Sequence, residues 1–413
     1  MQDYTRPAMR AWMYVFLLGS GVATAAPLRL ADVLDEVEAR GPDQMVATST
    51  VAVSRADVRT ARLFPNPGIV IGAGRSEPII NASVIVRLPI FGQRGVQRRA
   101  AEANARQTEH EAVATRWRLR RDARLAYYNV AKADEEVTIA IEVEQLTARM
   151  TAMAAERLEV GSGNRLDERQ ASLVHGRALQ DVSDRRALST AARIELARQL
   201  GRRMEDVGPL ADSLATIGAA PAVDELITTA IDTHPELRAL ADARVAAELR
   251  ARSARADLRP TLSLEAGVEV LDPSTCGTSH YCIGPRGAVA FDLPVFNLNR
   301  GPIEHAMAEA RVAELRKGAA QTRLAAEVRT AYTALAAAVV RVRFFDEDYV
   351  PNALEVEKMA REAFAVGKSG IIPLIEAERS VLDARLGRVE ALYSAQSARA
   401  DLEEASGVAL SAP

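Results

Sequence analysis

The feature that most limits the folds open to this chain is a run from Gly92 to Val160 without a single proline. Ala, Arg, Glu and Leu dominate it, a mixture that reads as one uninterrupted helix. At 1.5 Å of rise per residue such a helix is on the order of 100 Å long. No globular domain needs that length, and a helix of that length must pack against others all along it. Its apolar residues Ile139, Val143, Leu146, Met150, Met153 and Val160 alternate steps of four and three, with Arg157 in the one gap. That alternation is the seam of a coiled coil. The methionines could serve as soft-metal ligands, but their place in the seam assigns them to packing. Aromatic residues make up only 4% of the chain, which suits seams filled by small and aliphatic side chains.

The pattern occurs twice. Leu88-Pro89-Ile90-Phe91 followed by Arg94-Gly95 returns as Leu293-Pro294-Val295-Phe296 followed by Arg300-Gly301. Arg124-Leu125-Ala126-Tyr127 returns as Arg329-Thr330-Ala331-Tyr332, Glu156–Gly161 as Glu362–Gly367, and Leu196 with Gly201 as Leu402 with Gly407. From Arg94 onward the offset stays at about 206 residues, and ordered recurrence at a fixed period marks a duplicated unit. The second copy carries the seam forward as Phe345, Tyr349, Val356, Met359 and Val366, and Leu382, Leu386, Val389 and Tyr393 continue it on the returning helix. The chain therefore divides into a first repeat over 26–210 and a second over 211–413. Each reads as helix, strand pair, very long helix, sharp turn, long helix.

The strand pairs set the class. Strands are expected at about 68–75, 83–90, 261–270 and 286–295, where apolar and polar or small residues alternate with period two. Leu262, Leu264, Ala266, Val268 and Val270 face one way, while Ser263, Glu265, Gly267 and Glu269 face the other. Strands of about 9–11 residues match the span of an outer membrane. Lipid does not tolerate open sheet edges, whose N–H and C=O groups meet no water there. Four strands cannot close a barrel, since about eight is the working minimum. Strands in a membrane thus require several chains to pool them. A small soluble sheet capping a helical bundle is the competing reading. Pro65, Pro67, Pro89, Pro260 and Pro294 stand where helix and strand exchange, as breaks or as hinges.

Arg6 and Arg10 precede an apolar run from Ala11 to Ala25 that ends in Ala23-Thr24-Ala25. Basic, apolar and small-residue regions in that order read as a cleavable signal peptide over 1–25. The run is too short to span a bilayer comfortably. A net charge of -3 gives no electrostatic footprint for nucleic acid. Phosphate-loop, His-Glu-x-x-His and serine-elbow motifs are missing, and the His residues lie scattered singly. The chain reads as a non-enzyme without a cofactor.

In the ordered duplication, the Pro65-Asn66-Pro67 junction, the Leu-Pro-aliphatic-Phe junctions and the Val-Gly turns, the chain resembles the TolC-like outer-membrane factors. The Phe64–Pro67 junction and the Phe296–Gly301 stretch resemble their CzcC-like heavy-metal branch. The resemblance implies a mainly α fold with a small β part. Three copies would close a twelve-stranded β-barrel in outer-membrane lipid above a long antiparallel α-helical coiled-coil barrel in the periplasm. It further implies a periplasmic adaptor, a membrane fusion protein, and an inner-membrane pump of the RND type. In the family the helix–helix turns receive the adaptor's hairpin tips; the matching residues here are Val160, Gly161 and Ser162, and Val366, Gly367 and Lys368. Acidic side chains ring the family's periplasmic aperture. Glu376 matches one such position, Pro373 stands where a second acid is common, and Asp167 in the corresponding turn of the first copy is the substitute. A helix-start carboxylate favoured by the macrodipole accounts for Glu376 equally well.

Cys276 and Cys282 flank His280 between the second pair of strands, in what should be an extracellular loop. Two neighbouring cysteines in an oxidising compartment pair; a transient metal site of both thiols with His280 is the alternative. The leading function is a passive conduit for efflux, with heavy-metal cations ahead of drugs and secreted polypeptides as cargo. A periplasmic adaptor or a structural coiled-coil spacer would also explain the long hairpins. Neither explains two pairs of alternating strands in a duplicated chain.

Overall fold

The computed structural model describes residues 27–74, 79–214, 217, 221–277, 279–294 and 296–410. The signal peptide expected at 1–25 lies outside them. The first half comprises α1 (Leu30–Arg40), α2 (Pro42–Arg62), β1 (Gly68–Ala73), β2 (Ile80–Leu88), α3 (Gln93–Glu159) and α4 (Arg165–Leu200). The second comprises α5 (Val223–Thr233), α6 (Pro235–Ala256), β3 (Thr261–Leu271), a single turn α7 (Pro273–Cys276) and β4 (Cys282–Asp292). It continues through α8 (Arg300–Phe344), a π-helical turn at Phe345–Tyr349, α9 (Val350–Ala365) and α10 (Ile371–Ser406).

The strands form one antiparallel sheet in the order β1-β2-β3-β4, which leaves β1 and β4 as open edges. Register places Ile71 beside Ala82, Ala82 beside Val268, and Val268 beside Pro285. One face of the sheet is therefore a continuous apolar surface, and it lies open: Ile69 and Ile71 are each 75% exposed and Ile283 is 74% exposed. The opposite face is polar. There Arg286 reaches Glu265 (3.2 Å) and Glu269 (3.4 Å), and the Ser83 hydroxyl donates to Glu265 (2.7 Å). Among the described residues no helix is long and apolar enough to cross a membrane.

Two strands start earlier than the sequence suggested. β2 begins at Ile80 instead of about 83, and β4 begins at Cys282 and ends at Asp292 instead of running over about 286–295. Gly284 and Pro285 are poor strand formers, yet they pair with Glu269 and Val268 of β3 at the start of β4. β1 is shorter than expected, stopping at Ala73.

The long helices pack through alanine. Ala103, Ala123, Ala246, Ala384 and Ala391 are fully buried, so backbones approach closely without aromatic filling. In the first copy the coiled-coil seam is where the spacing puts it from Ile139 to Met153, with Ile139 and Met150 buried and Val143, Leu146 and Met153 half-buried, whereas Val160, the last residue assigned to it, lies exposed where the helix ends. The second copy departs from it. Tyr349, Val356 and Met359 lie exposed, and the buried positions are Ala353, Glu357 and Phe364. The cause is the π turn at Phe345–Tyr349, which adds a residue to one turn and rotates everything after it by about 100°. Pro351 cannot donate a backbone hydrogen bond, and the wider turn just before it absorbs that loss. The Phe345 ring lies over Gly387 of α10, where an added Cβ would come within 2.5 Å of it.

Candidate functional site: the paired helix turns

At the end of the molecule away from the sheet, α3 turns into α4 and α9 turns into α10. Both turns are built alike. Gly161 and Gly367 adopt left-handed backbone angles, φ 73° and 74°, which glycine reaches without the cost a Cβ imposes. The Gly161 N–H donates to the Leu158 carbonyl (3.1 Å) and the Ser162 N–H to the Arg157 carbonyl (2.9 Å). In the other turn Gly367 donates to Phe364 (3.0 Å) and Lys368 to Ala363 (2.9 Å). Each is a Schellman cap, satisfying carbonyls a helix end would otherwise leave open. Val160 and Val366 immediately precede the glycines and point outward, 72% and 67% exposed. Ser162 and Lys368 are exposed beside them.

The turns sit side by side on a shared apolar cluster, in which Met150, Ala154, Ala171, Phe364, Ile371, Leu374 and Ile375 are buried together. Arg157 ties them. Its Nη1 donates to the Phe364 carbonyl (3.1 Å), its Nη2 to the Ser162 carbonyl (3.3 Å), and its guanidinium stacks over the Phe364 ring (4.7 Å to the centroid). Sequence reasoning placed Arg157 only as a gap in the seam. Nothing in the spacing says which turn a long polar side chain will reach.

The two candidate aperture acids differ. Asp167 belongs to the start of α4: its N–H donates to the Asn164 side chain (2.8 Å), and Asn164 Nδ2 donates back to its carboxylate (3.2 Å). This reciprocal cap gives Asp167 a local structural role. Glu376 is exposed on α10, whose N-terminus at Gly370 has no side-chain cap.

Above the turns lies an acid pair that the sequence did not single out. Glu357 of α9 and Glu378 of α10 are both more than nine-tenths buried and face one guanidinium, Arg361, which contacts Glu357 and lies 3.4 Å from Glu378. They line a cavity of about 320 Å³ between α3, α9 and α10, with Glu142, Arg149 and Arg385 on its rim. Burial, and then a hydrogen bond with Glu357 and its charge, push the Glu378 carboxyl up to about 8, with Arg361 opposing. The Glu357–Arg361 spacing of four was legible as a helical ion pair. Its approach to Glu378 on another helix was not.

At the far side of the sheet, Cys276 and Cys282 are joined by a disulfide with Cα atoms 6.1 Å apart. Joined sulfurs are not available as thiolate ligands. The Ser279 hydroxyl and His280 Nδ1 lie 3.0 Å apart in the same loop.

Residues 226–408 match the family model described as outer membrane efflux protein. The chain is 22% identical to the cobalt-zinc-cadmium resistance protein CzcC of Cupriavidus metallidurans, over 88% of its own length and 86% of the relative's. It is 26% identical to the nickel-cobalt-cadmium resistance protein NccC of Alcaligenes xylosoxydans xylosoxydans, over 80% and 75% of the two lengths. Its fold superposes on a crystal structure of CusC with a TM-score of 0.73, covering 99% of each chain at 19% identity.

Proposed function

We propose that the chain is a TolC-like outer-membrane efflux factor and serves as the outer-membrane channel of a tripartite heavy-metal efflux system. Three copies pool their strands into one twelve-stranded barrel, and their helices form a tunnel through the periplasm. The observation that carries this reading is the four-stranded sheet itself, with an exposed apolar face and two unpaired edges. An edge is tolerated in lipid only if another strand pairs with it. Pairing β4 of one copy with β1 of the next removes every edge at once, and twelve strands give a lumen wide enough for hydrated cargo.

The channel is passive. Its work is to hold a continuous water-filled path while an inner-membrane pump, of the RND type in this reading, supplies the energy. The valine-glycine turns dock the tips of a periplasmic adaptor: Val160 and Val366 offer apolar contact, and the caps leave Ser162 and Lys368 available for polar contact. Heavy-metal cations are the proposed cargo on the strength of the two resistance proteins that the chain resembles along most of its length.

The deciding experiment is growth of a deletion strain on a panel of divalent metals, dyes and hydrophobic drugs. Hypersensitivity to cobalt, zinc, cadmium or nickel, restored by the intact gene, is the expected result. Sensitivity confined to drugs keeps the channel and removes the metal assignment, and a secretion defect alone moves it to polypeptide export.

A further inference from the structure

We propose that Arg286 is a specificity-determining residue of the barrel lumen. As a built-in counter-ion it fills the place between Glu265 and Glu269 where a divalent cation would otherwise be held, so that cationic cargo leaves without being trapped. The proposal rests on the channel reading, in which the polar face of the sheet lines the water-filled lumen and the apolar face meets lipid.

The geometry is local to one chain. Glu265 and Glu269 stand four residues apart on β3, about 13 Å along the strand, so one group meets both only if they lean together. Gly267 lies between them and leaves that space free. Register puts Arg286 directly beside Gly267, with Ser83 on its other side. From there the guanidinium Nε donates to Glu265 (3.2 Å) and Nη1 to Glu269 (3.4 Å). The Glu265 oxygen that receives Nε also accepts the Ser83 hydroxyl (2.7 Å). Only glycine fits at the centre, since an added Cβ would come within 2.2 Å of the Ala82 carbonyl oxygen and 2.6 Å of Ser83 Cβ. Ser83 is only 3% exposed although it stands on the open polar face, so its neighbours lie across it, flat along the wall.

Charge then decides what the cluster does. Two carboxylates converging on one point are donors that divalent cations take. One guanidinium satisfies both and leaves a single net negative charge in each copy. Ion pairs as exposed as these add little to stability; their effect is on the field in the lumen, which low-dielectric walls focus. A conduit gains from a wall that attracts cations and loses from one that holds them, since conduction requires that a bound ion can leave. On the rungs of Glu265, Gly267 and Glu269, Arg286 is the one cation among the described strand residues.

The test is the ion selectivity of the purified full-length trimer in a planar bilayer. It is read as the reversal potential in a salt gradient, with zinc chloride then added at millimolar concentration to each side in turn. The parent should prefer cations modestly and keep its conductance in zinc. Arg286→Gln should raise the cation-to-anion permeability ratio several-fold and make conductance fall when zinc is added. Arg286→Lys, which keeps the charge but not the fork, should fall between. Adding Glu265→Gln and Glu269→Gln to Arg286→Gln should restore zinc tolerance, which a merely structural role for Arg286 does not predict. An unmoved permeability ratio and unchanged zinc tolerance in Arg286→Gln overturn the proposal. Ala288→Cys, paired with Glu265 on the same face, tests the premise separately, because the natural cysteines are bridged. A charged thiol reagent should lower its conductance. If it does while Arg286→Gln is unmoved, the proposal alone fails; if the reagent has no effect, the channel reading of this face fails with it.

Discussion

Replacing Glu378 by glutamine should abolish most of the pH dependence of stability between about pH 5 and 8. Glu378 and Glu357 are buried together against a single guanidinium, so the pair cannot carry two negative charges cheaply. The Glu378 carboxyl is raised from 4.5 to about 8, so in this range the folded protein holds a proton that the unfolded chain releases. A folded state that binds more protons loses stability as pH rises. The loss begins near the unfolded value, grows through the interval and levels off above about 8. Each tenfold change in proton affinity is worth about 1.4 kcal/mol, so the whole rise sets a ceiling of about 5 kcal/mol. The cavity beside the pair admits solvent and the rim charges of Glu142, Arg149 and Arg385 screen it, so about 2 kcal/mol is the expected effect. Helical unfolding of the detergent-solubilised trimer, followed by circular dichroism from pH 5 to 9, reads it directly. The parent should melt progressively lower relative to Glu378→Gln as pH rises, while the two converge near pH 5. Parallel profiles across the range would refute a shared proton at this site.

Unfolded without reductant, the protein should show no thiol reactive toward a maleimide dye, and after reduction both Cys276 and Cys282 should react; two reactive thiols before reduction would restore the metal-site alternative for the loop. Glu376→Gln should weaken the cation preference of single channels, and unchanged conductance and selectivity would remove Glu376 from the aperture. Ile71→Arg places a charge on the exposed apolar face of the sheet and should cost about 2–4 kcal/mol if that face meets lipid; normal recovery of trimer from outer membranes would argue against a barrel wall there.

Much of the architecture was legible because the sequence signals it over long distances. The proline-free run reads as α3, and the Val-Gly pairs mark both turns, since only a left-handed cap explains a glycine at each helix end. The strands were legible in number and facing, though not in extent, because Gly284 and Pro285 are poor strand formers that β4 nonetheless carries in register with β3. Extrapolating the first seam into the second copy failed by one residue. A π turn leaves no periodic trace until the pattern beyond it is known to be rotated, and the exposed Val356 and Met359 show that rotation only in three dimensions. Arg157 and Glu378 were missed for a related reason. Each acts on a partner from another helix, across 207 residues for Arg157 and Phe364, and no local spacing encodes such a meeting.

The features that escaped the repeat all depart from the symmetry of the duplication in one region. Counting back along the second copy by the repeat offset, Glu357 replaces Thr151, Arg361 replaces Ala155 and Glu378 replaces Ser172. Phe345 replaces Ile139, and Gly387, which receives its ring, replaces Asp181. Arg157 runs the other way, with Ala363 opposite it. The helix pair of the first copy is thus continuous and conventionally packed, whereas that of the second is broken by a π turn and carries a buried acid pair. The sheet offers no such contrast, since a closed barrel asks the same pairing of all its strands.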